Sequence, residues 1–395
     1  MKKNIPHATA LLASGHLLND FYANFLPILL PIIMPQLGIS LTVSGLLVMV
    51  QSITSNMLQP VFGWIMDRRD LGRLLLPIIP FGGITICLIG YVNNQPLLFL
   101  LIALAGLAVS AFHPLGSMLV GRTAPAEHMG SSMSYYVAGG NLGFAFSPIL
   151  LVAFTNVLPL TALPWLVLPA LLIAALYHRS GLDHISTLPE SPAEQAAAGQ
   201  PLSLRALLTN SSILRLNLAM GLRCWTHVSV STFLPLLLIG AGYSSMLSGT
   251  LLTLFLIGCT IGGLIGGYLG DRLSHKKIIT GSLALGFLPT YYFFTHAGTE
   301  PLSLLALFIC GACLLAPQPS SIVWAQKLMP ANTGVASGMM LGLSFGLGSI
   351  GAAATAALAD KIGLSTALLL TSAPLLLAAL IAFLTPYPDE PSEKK

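Results

Sequence analysis

The chain has 395 residues, of which 55% are hydrophobic and only 8% charged, with a formal net charge of +4. An ordinary soluble domain is about 25% charged, and a globule of this length could not clothe its surface with so few charges, which excludes a soluble protein. The basic residues are spread over predicted loops rather than gathered in one patch, so the positive balance does not point to nucleic acid.

Apolar stretches of about 20 residues recur along the whole chain, each long enough to cross a hydrocarbon core of ~30 Å. Splitting the profile at Gly, Pro, Asn and charged clusters predicts twelve spans, at 8–36, 42–66, 74–92, 96–120, 131–156, 162–178, 211–239, 245–270, 276–296, 301–326, 332–358 and 363–385. The expected fold is an all-α, multi-pass membrane protein. Lys2 and Lys3 precede the first apolar run in the manner of a signal peptide, but the run is too long and contains His16, Asn19 and Asp20. It reads as a retained span. Fifteen of the 17 Lys and Arg residues fall on the side of the termini, leaving Lys361 opposite and Arg223 inside a span. The positive-inside rule then puts both termini in the cytoplasm.

Span one contains the only carboxylate placed in mid-span, Asp20. Burying an ionisable group there costs at least ~2.5 to 3.5 kcal/mol, which makes it a functional candidate. His16, Asn19, Asp20 and Asn24 follow at i, i+3, i+4 and i+8 and form one polar stripe, which must face protein or a water-filled cavity. Span two ends on Gly63-Trp-Ile-Met-Asp67-Arg68. Span four carries Phe112-His113-Pro114, and span five carries Tyr135, Tyr136 and Gly139-Gly140-Asn141-Leu-Gly143-Phe-Ala-Phe-Ser147-Pro148. Gly139, Gly143 and Ser147 repeat every four residues and predict a close helix contact that includes Pro148. Residues 179–210 are polar and rich in Ser, Pro and Ala, and predict a flexible linker between halves at 1–178 and 211–395.

In the second half, Arg223 and His227 share a face of span seven. With the span ends at residues 8 and 211, Asp20 and Arg223 each lie 12 residues in, at ~18 Å depth, so the two could meet. A proton reaching Asp20 would then weaken the pair and change what the cavity can hold; the competing reading is a static bridge between helices. Gly258, Gly262 and Gly266 form a second small-residue stripe in span eight. In span ten, Gln318 lies between Pro317 and Pro319, and proline frees carbonyls that can serve a cavity. The candidate cavity residues are thus Asn19, Asn24, His113, Tyr136, Asn141, Arg223, His227 and Gln318, with Trp225 and Trp324 as possible aromatic walls. Cys310-Gly-Ala-Cys313 has the spacing of a redox pair, but with no second ligand pair and no soluble context it reads as helix packing, and no metal site is expected.

The halves repeat. Gly63, Asp67 and Arg68 recur as Gly267, Asp271 and Arg272; Arg122-Thr-Ala-Pro125-Ala126 recurs as Lys327-Leu-Met-Pro330-Ala331; Phe25-Leu26-Pro27 recurs as Phe233-Leu234-Pro235. Nearly constant offsets across an even number of spans identify a parallel repeat. The same offset carries His113 onto Gln318.

On these residues the chain resembles the major facilitator superfamily over essentially its whole length. Gly267-Tyr-Leu-Gly-Asp271-Arg272-Leu-Ser-His-Lys276-Lys277 is similar to the family's loop signature, from which the first copy departs by a displaced glycine. His16-Leu-Leu-Asn19-Asp20, Phe112-His113-Pro114 and the span-five motif look like the fosmidomycin resistance branch, and the span-five motif is also similar to the signature of drug:proton antiporters. The resemblance implies two six-helix bundles and alternating access. It implies a cavity lined by spans one, four, seven and ten, and a cytoplasmic latch of Gly63, Asp67, Arg68, Gly267, Asp271 and Arg272. It also implies export of a small amphipathic or anionic compound driven by the proton gradient, with no cofactor. Asp20, His16 and His113 are then the expected proton-coupling groups. Leu115 stands where that branch is expected to have an acid, so proton handling is expected to be simpler or the substrate different. Uptake of an organic acid or sugar, and a receptor that has kept the fold, are the competing readings. No enzyme motif is found. A monomer in a bacterial inner membrane, partnered by substrate, protons and lipid but not nucleic acid, is expected.

Overall fold

The computed structural model describes residues 7–66, 68–123, 129–188, 210–329, 336 and 339–387. Among them are twelve helical spans long and apolar enough to cross a membrane. These are α1 (Ala8–Leu37), α2 (Leu41–Met66), α3 (Gly72–Tyr91), α4 (Gln95–Thr123), α5 (Tyr135–Val157), α6 (Leu160–Ser180), α7 (Ser211–Gly240), α8 (Ser245–Gly270), α9 (His275–Thr295), α10 (Pro301–Leu328), α11 (Met339–Ile362) and α12 (Leu364–Leu384). Asn210 starts α7 by accepting from the Ser212 and Ile213 amides, at 3.2 and 3.1 Å. Gly38, at φ 60°, ends α1 in the left-handed conformation that glycine adopts without strain.

Proline accounts for the break inside α1 and for a freed carbonyl inside α5. Its ring clashes with the carbonyl four residues back and leaves that oxygen without its helical N–H. Pro27 does this to Ala23, beside the break at Asn24, and Gln51 Nε2 from α2 donates to Ala23 O at 2.8 Å. Pro148 does it to Phe144, and Asn24 Nδ2 donates to Phe144 O at 2.9 Å. In an apolar medium a freed carbonyl needs such a partner. Asn24 is buried and its amide is committed to holding α1 on α5.

Contacts divide the chain into two compact units, Met1–Pro201 with Tyr243–Thr253, and Leu202–Gly242 with Leu254–Lys395. In the first, α1 and α5 touch at backbone level. A Cβ on Gly139 would lie 2.3 Å from Ala13 O and one on Gly143 would lie 2.0 Å from Leu17 O, while Ser147 Oγ donates to Phe21 O at 2.8 Å. In the second, α7 meets α11 in the same way, with Gly348 against Cys224 and Gly351 against the Trp225 ring. The α8 stripe also finds a backbone: Gly258, Gly262 and Gly266 face the carbonyls of Phe308, Ala312 and Ala316 on α10. One hydrogen bond recurs in both units at nearly the repeat offset. Tyr22 Oη donates to Leu166 O, and Thr226 Oγ1 donates to Thr371 O, each at 2.7 Å.

The predicted linker does not begin as free chain. After α6, Gly181 turns the chain at φ 74° into a short 3-10 turn, Leu182–His184. Residues 185–188 then lie along the loop that follows α2. Thr187 is buried there; its amide donates to Asp70 Oδ1 at 3.0 Å and its hydroxyl donates to Arg69 O at 2.9 Å. Arg122, at the end of α4, donates to the carbonyls of Ser186, Thr187 and Leu188. Gly72 is required at this crossing, because a Cβ would lie 2.2 Å from Ile185 O. A single arginine that reaches three carbonyls converts the start of the polar stretch into a docked strap. The rest of that stretch, residues 189–209, lies outside the described residues.

Candidate functional site

The first unit gathers His16 and His113 around Asp20. His16 and Asp20 are one turn apart on α1, which puts both on one face. His16 Nε2 lies 3.3 Å from Asp20 Oδ2, and His113 Nε2, from α4, lies 3.5 Å from Asp20 Oδ1. Asn19 Nδ2 donates to the same Oδ1 at 2.9 Å. The His16 ring stacks on Tyr136 of α5 at a centroid distance of 4.2 Å and meets the His113 ring edge-on at 5.0 Å. Gly140 makes room for all of this, since a Cβ there would come within 2.6 Å of both His16 Nε2 and Asp20 Oδ2.

The tautomer of His16 follows from its other nitrogen. Nδ1 sits 2.8 Å from Tyr136 O. A carbonyl only accepts, so Nδ1 carries a hydrogen, and a neutral ring would then turn the Nε2 lone pair toward the carboxylate. Two lone pairs at 3.3 Å repel. The approach is favourable only with positive charge present, either a proton held by His16 or Asp20 or a metal ion, and Nε2 makes no hydrogen bond of ordinary geometry among the described residues. The three ligating atoms lie within 4.8 Å of one another, so the geometry admits an ion as well as a proton.

The second unit repeats the plan with the opposite charge. Arg223 on α7 is 0% exposed, and its Nη2 donates to Gln318 Oε1 on α10. Gln318 is itself fixed by donation from Nε2 to Met340 O at 3.3 Å. The guanidinium lies 5.3 Å from the centre of the Phe345 ring, a cation–π contact. Its Nε and Nη1 have no hydrogen-bond partner among the described residues. His227, one turn further along, is wedged between Phe255 and Phe345, with ring centroids at 5.8 Å from each. Each half thus holds one charge on its first helix and a polar partner for it on its fourth, at the repeat-related positions His113 and Gln318. Asp20 and Arg223 each find their partners inside their own unit.

The remaining expected residues are distributed as follows. Asn141 is exposed on α5 and stands outside the Asp20 cluster. Trp225 Nε1 donates to Thr355 Oγ1 at 2.7 Å and so ties α7 to α11. Trp324 is fully buried against Tyr387. Of the expected latch, Asp67 and the side chain of Asp271 lie outside what the structure describes. Their neighbours match across the halves: the Arg68 and Arg272 guanidinium groups each sit 4.2 Å from the ring centre of the aromatic residue four positions earlier, Trp64 and Tyr268. Gly63 has open space around it. The five cysteines are free, and Cys310 lies 3.1 Å from Thr290 Oγ1.

Sequence reading missed Gln51, Phe345 and the strap. Gln51 had a usable signal, a polar side chain in mid-span opposite a proline-freed carbonyl. Phe345 had none, since an aromatic in a glycine-rich span is unremarkable until the fold sets it over a guanidinium.

Comparison with known proteins agrees with this architecture. Residues 12–350 match the family model described as Major Facilitator Superfamily. An uncharacterized MFS-type transporter, YfnC of Bacillus subtilis (strain 168), is 28% identical over 383 residues, which cover 94% of this chain and 90% of the relative. The fosmidomycin resistance protein of Escherichia coli (strain K12) is 27% identical over 352 residues, covering 88% and 84%. Among solved structures, the nucleoside transporter NupG superposes with a TM-score of 0.74 at 16% identity, over 95% of this chain and 98% of that one. The chain belongs to the major facilitator superfamily; it is a multi-pass membrane transporter and not an enzyme.

Proposed function

We propose that this member of the major facilitator superfamily is a proton-coupled exporter of a small amphipathic or anionic compound, working by alternating access as a monomer in a bacterial inner membrane. The observation that carries the reading is the approach of His16 Nε2 to Asp20 Oδ2 while Nδ1 is held by Tyr136 O, an arrangement that favours positive charge, of which a proton is the simplest source. His113, on the far oxygen of the same carboxylate, gives that proton a second place to go. Neutralising Asp20 releases both imidazoles, and that is how proton uptake at this cluster would alter the helices that bear it. The anionic preference rests on Arg223, a fully buried cation that keeps N–H donors free. A buried guanidinium with unspent donors favours an oxyanion, whose binding offsets the desolvation already incurred. Efflux as the direction is supported by the similarity to the fosmidomycin resistance protein. Uptake of an organic acid would use the same Arg223 donors.

The test is transport in inverted membrane vesicles, with fosmidomycin among the candidate compounds and a pH-sensitive dye reporting proton movement. Wild type should release protons from the lumen as substrate enters. Asp20→Asn should abolish that coupled signal while leaving substrate exchange at equal pH. An Asp20→Asn protein that still drives proton-coupled accumulation overturns the proposal, and accumulation only in right-side-out vesicles reverses the direction.

A further inference from the structure

A second His-Asp-His cluster stands apart from the Asp20 site, at the end of α6. His178 is in the last turn of that helix, where exposed carbonyls favour a cation. Gly181, in the left-handed conformation, reverses the chain so that Asp183 and His184 return onto His178. His178 Nδ1 lies 3.2 Å and His184 Nε2 3.8 Å from the same oxygen, Asp183 Oδ2. The imidazoles are 65% and 52% exposed and the carboxylate is 3% exposed. Its other oxygen, Oδ1, is buried without a hydrogen-bond partner among the described residues.

A buried carboxylate is costly unless it is partnered, and both imidazoles converge on one of its oxygens, Oδ2, with His178 Nδ1 at hydrogen-bond distance from it. A metal ion resolves the arrangement, because it accepts the lone pairs of both rings and the charge of the carboxylate together. Ligand atoms on a tetrahedral zinc sit about 3.3 to 3.6 Å apart, against 3.2 and 3.8 Å for the two pairs here, with all three atoms within 4.8 Å. Rotations of the two exposed rings would close the difference.

We infer that His178, Asp183 and His184 form a binding site for one borderline-soft divalent ion of the zinc class. It lies next in sequence to the strap of residues 185–188, so the ion fixes the turn from which the strap departs toward Asp70 and Arg122.

The test is a zinc titration of the purified, tag-free, chelator-treated full chain, read by competition with a chromogenic chelator. His178→Ala and His184→Ala remove exposed side chains, and each should lower zinc affinity at least tenfold. His113→Ala, titrated in parallel, separates this site from the Asp20 cluster and should retain the zinc equivalent. No zinc binding, or binding that survives both the His178→Ala and His184→Ala substitutions, overturns the inference, as does loss confined to His113→Ala.

Discussion

Gly143→Ala tests the backbone contact on which the α1–α5 pair depends. The added Cβ would lie 2.0 Å from Leu17 O and 2.7 Å from its carbonyl carbon, where ordinary contact begins at 3.4 Å. The obstacle is backbone, so no side chain can rotate away, and the two helices must separate by about 1.4 Å locally. Overpacking of this kind costs ~1 to 3 kcal/mol, and the rigid neighbour places Gly143→Ala at the upper end. The same opening would draw Ser147 away from Phe21 O and pull His16 and Asp20 off Gly140. Ser147→Ala, which removes one hydrogen bond and no volume, should cost about 1 kcal/mol. Gly121→Ala, whose Cβ meets nothing within 4 Å, is the neutral control. The chain supplies its own reporter, because four of its five free cysteines are buried and react with a thiol-specific fluorophore only on unfolding. A thermal ramp in detergent should rank the midpoints Gly121→Ala, Ser147→Ala, Gly143→Ala from high to low. Equal midpoints for Gly143→Ala and Gly121→Ala would refute the contact.

Arg223→Lys keeps the charge but loses the planar fork that holds Gln318 and offers free donors. At ~1.5 to 3 kcal/mol for hydrogen bonds to a charged group, the transport KM for an anionic substrate should rise by about tenfold or more, and an unchanged KM would count against an anion site at Arg223. Tyr22→Phe and Thr226→Val remove the hydrogen bond that the halves share; each should cost ~0.5 to 1.5 kcal/mol in the same cysteine assay, whereas a loss in only one would mean that the repeat is not mechanically equivalent there. The strap should depend on pH through Asp70. Burial pushes its carboxyl up, but hydrogen bonds from the Thr187 and Gly72 amides and the nearby Arg122 outweigh that and hold it below the ordinary value of 3.8. A depressed carboxyl contributes fully above the ordinary value, and the contribution is lost as pH falls through the folded one. Exchange of the Thr187 amide, corrected for its intrinsic rate, should therefore quicken below that range, and in Asp70→Asn the pH dependence should vanish. Constant protection down to strongly acidic pH would refute it.

The sequence alone determined the membrane environment, the twelve spans and the two-fold internal repeat, because these depend on composition and on periodicity within single helices. It also singled out His16, Asp20, His113, Arg223 and Gln318, since a polar side chain in hydrocarbon is conspicuous wherever it stands. Which of them touch was decided by tertiary structure. Depth along a span fixes only one coordinate of three. Helix packing within each half sets the others, bringing His113 to Asp20 and Gln318 to Arg223. The preference of His16 for positive charge was likewise invisible, because it follows from the orientation of a ring whose Nδ1 meets a carbonyl on α5, 120 residues away. Asn24 shows the same limit from the other side: its place in the polar stripe was legible, but its partner is a carbonyl freed by Pro148 on α5. The strap was hidden for a different reason. A polar stretch rich in Ser and Pro reads as free chain until a single arginine, Arg122, is brought within reach of its carbonyls.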